Sequence, residues 1–383
     1  NFFYEFVLIR KFVWLRKSFQ YINLINISFY NNLLTLNYHI LYGIFEKKTM
    51  NLAGDAESLL KRLISIKSFS FYEDKTADYI QDWLAKRNIV SKRLVNNVYA
   101  YNKYFDSKKP TILLNSHHDT VEPNSGYTID PYKPIVKDKK LYGLGSNDAG
   151  ISLSCLILVF TKLYERNDLK FNVILLASAE EERSGDNGIK SVIPLLPEIE
   201  LAIIGEPTKM DIAIAEKGLI VFDLIVKGKS SHAAHKNNNN PIEISSNIIH
   251  QISNLEFSKK SKLLGDVKLT VTQINGGVQH NVIPSEVKIV LDARINDKYS
   301  NLEIYNFLKD QLDCEVIPRN LDLNSSSISE NHKILIAANN LNFKKYGSPT
   351  LSDQAKINCN SIKLGPGDSL RSHTADEFVY LDE

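Results

Sequence analysis

The chain has 383 residues, of which 43% are hydrophobic and 23% charged, and its formal net charge at pH 7 is +2. This composition is ordinary for a globular protein of about two domains. The balanced charge argues against a nucleic-acid-binding protein, which would show a basic excess. The three cysteines have no paired spacing, which favours a reducing, cytoplasmic setting over a disulfide framework.

Residues 1–49 differ in style from the rest of the chain, because they contain no methionine before Met50 and are rich in Asn, Ile, Leu, Phe and Tyr. Polar residues interrupt the uncharged stretch 18–45, which matches poorly the roughly 20 predominantly apolar residues of a membrane span. The compact apolar core of a signal peptide is also missing. We interpret residues 1–49 as a leader that is not part of the native protein and expect no membrane partner. The alternative is a membrane-associated, disordered or helical extension.

From Met50 onward, apolar residues recur with helical or strand periods. The predicted elements of the first half are helices over 54–68, 75–87 and 149–166 and strands at 111–115, 172–178, 201–205 and 212–216. Strands that alternate with helices are typical of an α/β domain. We therefore predict a mixed sheet flanked by helices.

The second half begins with a different pattern. The predicted elements are a strand at 219–227, a helix over 241–253, strands at 267–275 and 286–295, and a helix over 300–312. This order suits a small α+β sandwich of one sheet and two helices. A helical pattern returns over 330–346. We predict an inserted domain over 217–322 within a discontinuous catalytic domain of residues 50–216 and 323–383.

A first candidate site follows the apolar strand T-I-L-L-N. His117 and Asp119 lie there in the run S-H-H-D-T-V. On a strand, residues two apart point to one side, and an aspartate beside a histidine can orient the imidazole and fix its tautomer. Alone, this pair is common, so its weight depends on the other motifs.

Asp148 lies in a glycine-flanked turn, G-L-G-S-N-D-A-G, ahead of a predicted helix. A carboxylate there can present its two oxygens to two metal ions. It can equally cap the helix, and in isolation the cap is the favoured interpretation.

Three adjacent carboxylates, Glu180, Glu181 and Glu182, follow the strand V-I-L-L-A-S-A. They repel one another unless a cation is present, or they form a solvated acidic loop. The metal interpretation assigns Glu181 to a metal ion and leaves Glu180 as a general base toward water. Glu206, in G-E-P-T after another strand, is a further oxygen ligand or a turn residue before Pro207.

His373 follows the tight backbone path G-P-G-D-S-L-R-S, and a histidine on a surface loop is the alternative. Two histidines with several carboxylates suit two divalent metal ions, zinc or a similar ion such as cobalt. No cysteine belongs to the set, which excludes a structural zinc finger.

Residues 50–383 contain these motifs in an order that resembles the acetylornithine deacetylase / succinyl-diaminopimelate desuccinylase family of co-catalytic zinc hydrolases. This family also includes carboxypeptidases and aminoacylases. The resemblance implies an α/β zinc-hydrolase catalytic domain with an inserted ferredoxin-like α+β domain. It also implies a small-molecule N-acyl amino acid as substrate and a homodimer formed through the inserted domain.

The same resemblance implies a ligand for each metal position. His117, Asp148 and Glu206 would hold one metal ion. Asp148, Glu181 and His373 would hold the other, so that Asp148 bridges the two.

Further roles are implied outside the ligand set. Asp119 would orient His117, and Glu180 would act as general base and then as general acid. His232, in G-K-S-S-H-A-A-H, would help to stabilise the oxyanion, often in the site of the partner subunit. Asn281, in G-G-V-Q-H-N-V-I-P, would contact substrate. Arg294 is suited to pairing with a substrate carboxylate, or it is a charge on the sheet surface.

The C-terminal motifs favour one branch of the family. L-S-D-Q-A-K and G-P-G-D-S-L-R-S-H-T-A-D-E-F resemble the acetylornithine deacetylase branch. Desuccinylases carry an Arg shortly after their S-D-G, whereas Gln354 and Ala355 follow Asp353 here. We therefore predict removal of an acetyl group from acetylornithine or acetylcitrulline in arginine biosynthesis. The alternative is a succinyl-diaminopimelate desuccinylase or a related dipeptidase or aminoacylase.

Overall fold

A computed structural model describes residues 52–383 of the chain, so the predicted leader 1–49 lies outside the described residues. The helices of this part are α1 (52–64), α2 (Asp74–Ala85), α3 (Ile151–Tyr164), α4 (Ile189–Val192), α5 (Pro241–Ser253), α6 (Asn301–Gln311) and α7 (Lys333–Asn340). The strands are β1 (Ser91–Leu94), β2 (Asn97–Tyr101), β3 (Thr111–His117), β4 (Ile135–Lys137), β5 (Lys140–Tyr142), β6 (Asn172–Ser178), β7 (Leu201–Ile204), β8 (Ile212–Glu216), β9 (Gly218–Lys227), β10 (Ser231–His232), β11 (Lys268–Asn275), β12 (Val282–Ile283), β13 (Glu286–Ile295), β14 (Glu315–Pro318), β15 (Ser326–Ser327), β16 (Lys345–Ser348), β17 (Asn360–Lys363) and β18 (Phe378–Tyr380).

These residues form two compact units. The described part of the first unit comprises 52–212, Ser329–Lys344 and Cys359–Glu383, and the second comprises Ala213–Ile328 and Lys345–Asn358. The second unit extends beyond the predicted insertion 217–322 because β15 and β16 pair with β8.

The first unit is built on a mixed sheet with the strand order β1-β2-β6-β3-β7-β17. Strands β6, β3, β7 and β17 are parallel, and β2 joins β6 in the antiparallel sense. Every residue of β3 and β6 is buried, as the continuous apolar runs predict for parallel strands covered on both faces. Helix α3 packs against both strands. The carboxyl ends of β3, β6 and β7 therefore lie along one edge of the sheet.

A small antiparallel sheet of order β18-β5-β4 completes the first unit. Leu141 on β5 and Val379 on β18 form an apolar cluster with Leu60 and Ile64 of α1, and Ile151 packs against it. Burial of a leucine or isoleucine side chain contributes about 1.5–3 kcal/mol to stability. Leu141 lies just before segment 143–150, and Val379 lies just after segment 373–377. The cluster therefore anchors the start of the first segment and the end of the second.

The second unit contains a four-stranded antiparallel sheet of order β11-β13-β9-β14. The chain order β9-α5-β11-β13-α6-β14 with this strand order is a ferredoxin-like arrangement. Its core lies between the sheet and the two helices, and includes Phe222 and Leu291 from the strands with Ile248 and Ile304 from the helices. The predicted α+β sandwich is confirmed.

One predicted helix is shorter than expected. The pattern over 330–346 gives a helix only at Lys333–Asn340, and the chain then turns into strand β16. Asn342 has a positive φ of 56°, which an α-helix does not accept. The apolar spacing alone could not locate this stop.

Candidate metal centre

Three predicted site segments meet at one edge of the first unit's sheet. His117 ends β3, the acidic run begins two residues after β6, and Glu206 follows β7. Because these strands are parallel neighbours, their carboxyl ends bring the three segments together. In α/β sheets, ligands bind at this end of the strands.

The ring of His117 is buried and oriented by Asp119. Its Nδ1 lies 3.0 Å from the carbonyl oxygen of Asp119 and 3.5 Å from that residue's carboxylate Oδ1. On the other side of the ring, Nε2 lies 3.2 Å from Oδ1 of Asp148. In the neutral ring with its proton on Nδ1, Nε2 would be the nitrogen that can bind a metal ion. Burial acts to lower the pKa of His117, but the hydrogen bonds to Asp119 and Asp148 raise it well above its usual value.

Asp148 faces two histidines with its two carboxylate oxygens. Oδ1 lies 3.2 Å from Nε2 of His117, and Oδ2 lies 3.7 Å from Nε2 of His373. The side chain is 14% exposed, so it is mostly buried but can still be reached by solvent. This is the position that a bridging carboxylate requires.

Glu182 completes the cluster. Its Oε2 lies 2.9 Å from Nε2 of His373, and its carboxylate groups with His117 and Asp148 so that one ligand atom from each lies within 4.8 Å of the others. The hydrogen bond that His373 donates to the Glu182 carboxylate raises the pKa of His373 to about 9. The structure thus brings three predicted ligands, His117, Asp148 and His373, together with Glu182, which was not in the predicted set.

In the acidic run, Glu182 is the residue that contacts His373, and it is one position after the predicted ligand. We predicted Glu181 as the ligand and Glu180 as the base, but the Glu180 carboxylate accepts hydrogen bonds from the backbone and side-chain nitrogens of Asn187, at 3.1 and 3.2 Å. Glu180 has a positive φ of 56°, which breaks the strand alternation after β6. A run of three glutamates contains no signal of that turn. Glu181 lies close enough to His117 to raise its pKa.

Asp119 does more than orient the neighbouring imidazole. Its carboxylate accepts the backbone N–H groups of Glu181 and Glu182, each at 3.1 Å, and the hydroxyl of Ser70 at 2.7 Å. Burial acts to raise the pKa of Asp119, but the bond and charge of His117 outweigh it, so the pKa is lowered. Asp119 therefore links the β3 end to the acidic loop.

Glu73 also supports that loop and has no counterpart among the predicted residues. Its buried carboxylate accepts the backbone N–H groups of Phe71 at 2.8 Å and Glu180 at 3.1 Å, and the side-chain amide of Asn96 at 2.9 Å. Burial raises its pKa. Glu73 precedes α2 in an ordinary polar run, so the sequence contains no sign of this role.

The observed spacing suits a divalent ion. Ligands placed tetrahedrally about 2.1 Å from zinc lie roughly 3.4 Å from one another. The nitrogen–oxygen separations around Asp148 and Glu182, 3.2, 3.7 and 2.9 Å, are close to that value. Imidazole and carboxylate donors together suit zinc, cobalt and similar ions. Glu206 is half-buried beside this edge, and its role as a ligand stays a prediction.

Three predicted residues belong to the second unit. His232 is exposed on β10 and accepts the backbone N–H of Ala234 at Nδ1, 3.1 Å away. The carbonyl of Asn281 accepts the backbone N–H of Ala233. Arg294, on β13, forms a bidentate ion pair with Asp292, in which Nε and Nη2 donate to the two carboxylate oxygens at 2.9 and 3.1 Å. Their catalytic and substrate-binding roles stay predictions.

Sequence comparison matches residues 214–317 to the peptidase dimerisation domain. A curated relative, the succinyl-diaminopimelate desuccinylase of Rickettsia bellii (strain OSU 85-389), is 27% identical over 296 residues, which cover 70% of this chain and 75% of the relative.

Among described residues, no helix has the length and apolar character that crossing a membrane requires.

Two solved structures share the fold. An M20 family metallo-carboxypeptidase from Sulfolobus solfataricus aligns with a TM-score of 0.68 at 16% identity, covering 86% of this chain and 95% of that protein. A dinuclear metal-binding peptidase of the M20 family from Bacillus subtilis aligns with a TM-score of 0.65 at 16% identity, covering 87% and 94%. At these identities the likeness is one of fold, and it confirms the predicted α/β fold class.

Proposed function

We propose that this hydrolase, which has the fold of the M20 metallopeptidases, is a metal-dependent amidohydrolase that removes an N-acyl group from an amino acid. The observation on which the proposal depends is the position of Asp148 between two histidines. One carboxylate oxygen faces His117 and the other faces His373. A carboxylate in that position can bridge two divalent ions, which is the arrangement of two-metal hydrolases.

The first substrate to test is N-succinyl-diaminopimelate. The Rickettsia relative bears the name of that activity, and this supports the alternative of our sequence analysis over acetylornithine or acetylcitrulline. The second candidate stays in the test because Gln354 and Ala355 follow Asp353, where desuccinylases carry an arginine. Both candidates are N-acyl amino acids, so the chemistry at the centre is the same.

The metal ions, zinc in the first instance, would be held by His117, Asp148, Glu182 and His373, with Glu206 as a fifth ligand. When bound, such ions polarise the amide carbonyl and make water more acidic. We assign the general base to Glu181 in place of Glu180, because the Glu180 carboxylate is occupied by Asn187. Glu181 would remove a proton from water and return it to the leaving amine.

His232 would donate a hydrogen bond to the developing oxyanion. Because its Nδ1 accepts the N–H of Ala234, the neutral ring has its proton on Nε2 and can donate from there. A donor directed at an oxyanion lowers the barrier of acyl transfer. The match to a peptidase dimerisation domain supports a homodimer formed through the second unit.

An amine-release assay tests the function. The full chain, loaded with zinc or cobalt, is incubated with N-succinyl-diaminopimelate, N-acetylornithine, N-acetylcitrulline, their succinyl counterparts and a simple dipeptide. We expect fastest turnover of N-succinyl-diaminopimelate, and none in an Asp148→Asn preparation. Preference for an ornithine or citrulline derivative would place the enzyme in the deacetylase branch. No amine release from any of them would contradict the proposal.

A further inference from the structure

Two irregular segments deliver the ligands that face each other across the centre. Asp148 lies in 145–150, after β5, and His373 lies in 365–377, after β17. Asp148 lies in the short π-helical turn Ser146–Gly150 but has non-helical angles itself (φ −120°, ψ 100°), and His373 has a positive φ of 60°, so neither ligand takes its direction from a regular helix or strand. The separation of these two side chains therefore depends on how the two segments are joined.

Glu377 joins them from one side. Its side chain is 2% exposed, and the carboxylate accepts the backbone N–H groups of Gly145, Asn147 and Asp148 at 2.9, 2.8 and 2.9 Å. Its own carbonyl oxygen accepts the N–H of Gly143 at 2.9 Å. A single residue from the His373 segment thus holds most of the backbone around Asp148.

Asn147 joins them from the other side. It is fully buried, and its amide makes two bonds with the backbone of Asp368, donating to the carbonyl at 3.1 Å and accepting the N–H at 2.9 Å. It also approaches the hydroxyl of Ser372 at 3.4 Å. A residue beside Asp148 thus holds the segment that contains His373.

The fit around Asn147 leaves little freedom for movement. Gly367 has a positive φ of 95°, and a Cβ there would lie 2.7 Å from Oδ1 of Asn147. The segment therefore passes directly over the amide, with a residue that has no side chain at the point of contact. Asn147 and Glu377 form a reciprocal clamp, in which each segment supplies one buried side chain that binds the backbone of the other.

We propose that Asn147 and Glu377 are positioning residues that set the separation of Asp148 and His373 and thereby the affinity for the metal ion that these two residues share. The inference rests on the proposed metal-dependent function. Groups that hold metal ligands in place typically contribute 10–100-fold to metal affinity. Both residues act through the backbone of the ligand segments, so their loss shifts ligand positions without removing a ligand.

The test is a cobalt titration of the full metal-free chain, followed by visible absorption and by competition with a chelator. Glu377→Gln keeps the shape but turns an NH2 group toward a backbone N–H. We expect the cobalt affinity of the site that Asp148 and His373 share to fall about 10–100-fold and the absorption spectrum to change. Asn147→Ser removes the bonds to Asp368 and is expected to act in the same direction, which keeps the test valid if the first variant fails to fold.

Asp376→Asn is the matched control. Asp376 lies in the same segment as Glu377 and also accepts backbone N–H groups, but those of Thr128 and Ile129, which are not part of the Asp148 segment. Its cobalt affinities should stay within about threefold of those of the wild-type chain. Folded Glu377→Gln and Asn147→Ser proteins with unchanged cobalt affinity and spectrum would overturn the clamp. A wild-type chain that binds no cobalt would overturn the proposed function and the clamp together.

Discussion

Glu182 and His373 are 191 positions apart in the chain, yet Oε2 of one lies 2.9 Å from Nε2 of the other. The glutamate comes from the loop after β6, and the histidine comes from the segment after β17. A contact between two loops persists only where the surrounding backbone is held. Asp119 holds the first loop and Glu377 is part of the second, so buried carboxylates that are not ligands determine this contact.

Three matched Glu→Gln substitutions can assign the roles of Glu180, Glu181 and Glu182. We expect Glu182→Gln to weaken metal binding, because Glu182 is one of the proposed ligands. Glu181→Gln should keep metal affinity but lose about 10²–10⁴-fold in kcat, since general base catalysis contributes that much. Cobalt titration and initial rates measure both quantities.

Glu180→Gln is the comparison for that series. Its carboxylate binds Asn187, so the variant should keep its metal ions and much of its turnover. If Glu180→Gln abolished turnover and Glu181→Gln did not, the base would be Glu180 as the sequence alone suggested, and our reassignment would be wrong.

Asp119→Ala should lower metal affinity by about 10–100-fold, because the substitution releases both the His117 ring and the backbone of the Glu181–Glu182 loop. Ser70→Ala removes only one hydrogen bond to the same carboxylate and should have a much smaller effect. Chelator competition measures both. Equal affinities in the Asp119→Ala and wild-type proteins would contradict the role of Asp119.

His232→Ala should reduce kcat by about 10²–10³-fold with little change in metal affinity, as expected for the loss of an oxyanion donor. His235 is the control, because its ring centre lies 5.9 Å from that of His232 and we assign it no catalytic part. Steady-state kinetics of both alanine variants separate the two histidines. A His235→Ala variant that loses as much turnover as His232→Ala would remove the basis for assigning the donor.

The cysteines should react slowly in the folded protein. Burial raises the pKa values of Cys155, Cys314 and Cys359 to about 11, so at pH 8 only about one thiol in a thousand is ionised. Because the thiolate is the reactive form, labelling should be about 100-fold slower than for free cysteine and should accelerate as the pH rises toward 11. Disulfide-exchange labelling measures the rates, with guanidinium-unfolded protein as control. Native thiols that react as fast as free cysteine would contradict the shift.

The sequence is sufficient for those parts of the fold in which burial repeats regularly. Strands β3 and β6 and helix α3 lie close to their predicted positions, because continuous apolar runs and helical spacing report directly on burial. The small sheet of β4, β5 and β18 was not predicted. Its strands have three residues each, too few for a period to show.

In the candidate site too, residues in distinctive local motifs could be predicted, whereas residues that act through distant contacts could not. The proximity of His117, Asp148 and His373 could be predicted because each lies in a distinctive local motif. That Glu182 lies beside His373 could not, since it depends on a left-handed residue at Glu180. Glu73, Asn147 and Glu377 act through backbone groups far away in the chain, and no local pattern reports such bonds.

The arrangement of the second unit has a consequence for how the centre assembles. Glu182 precedes the stretch Ala213–Ile328 of that unit and His373 follows it, so a metal ion bound by both closes a very long chain loop. Closing a long flexible loop is entropically unfavourable and slows folding. Within the folded unit, however, the N–H of Leu219 donates to the carbonyl of Leu323 at 3.0 Å. The stretch Ala213–Ile328 thus brings its own two ends together, and once it has folded, the loop that the ligands close is shorter by that stretch.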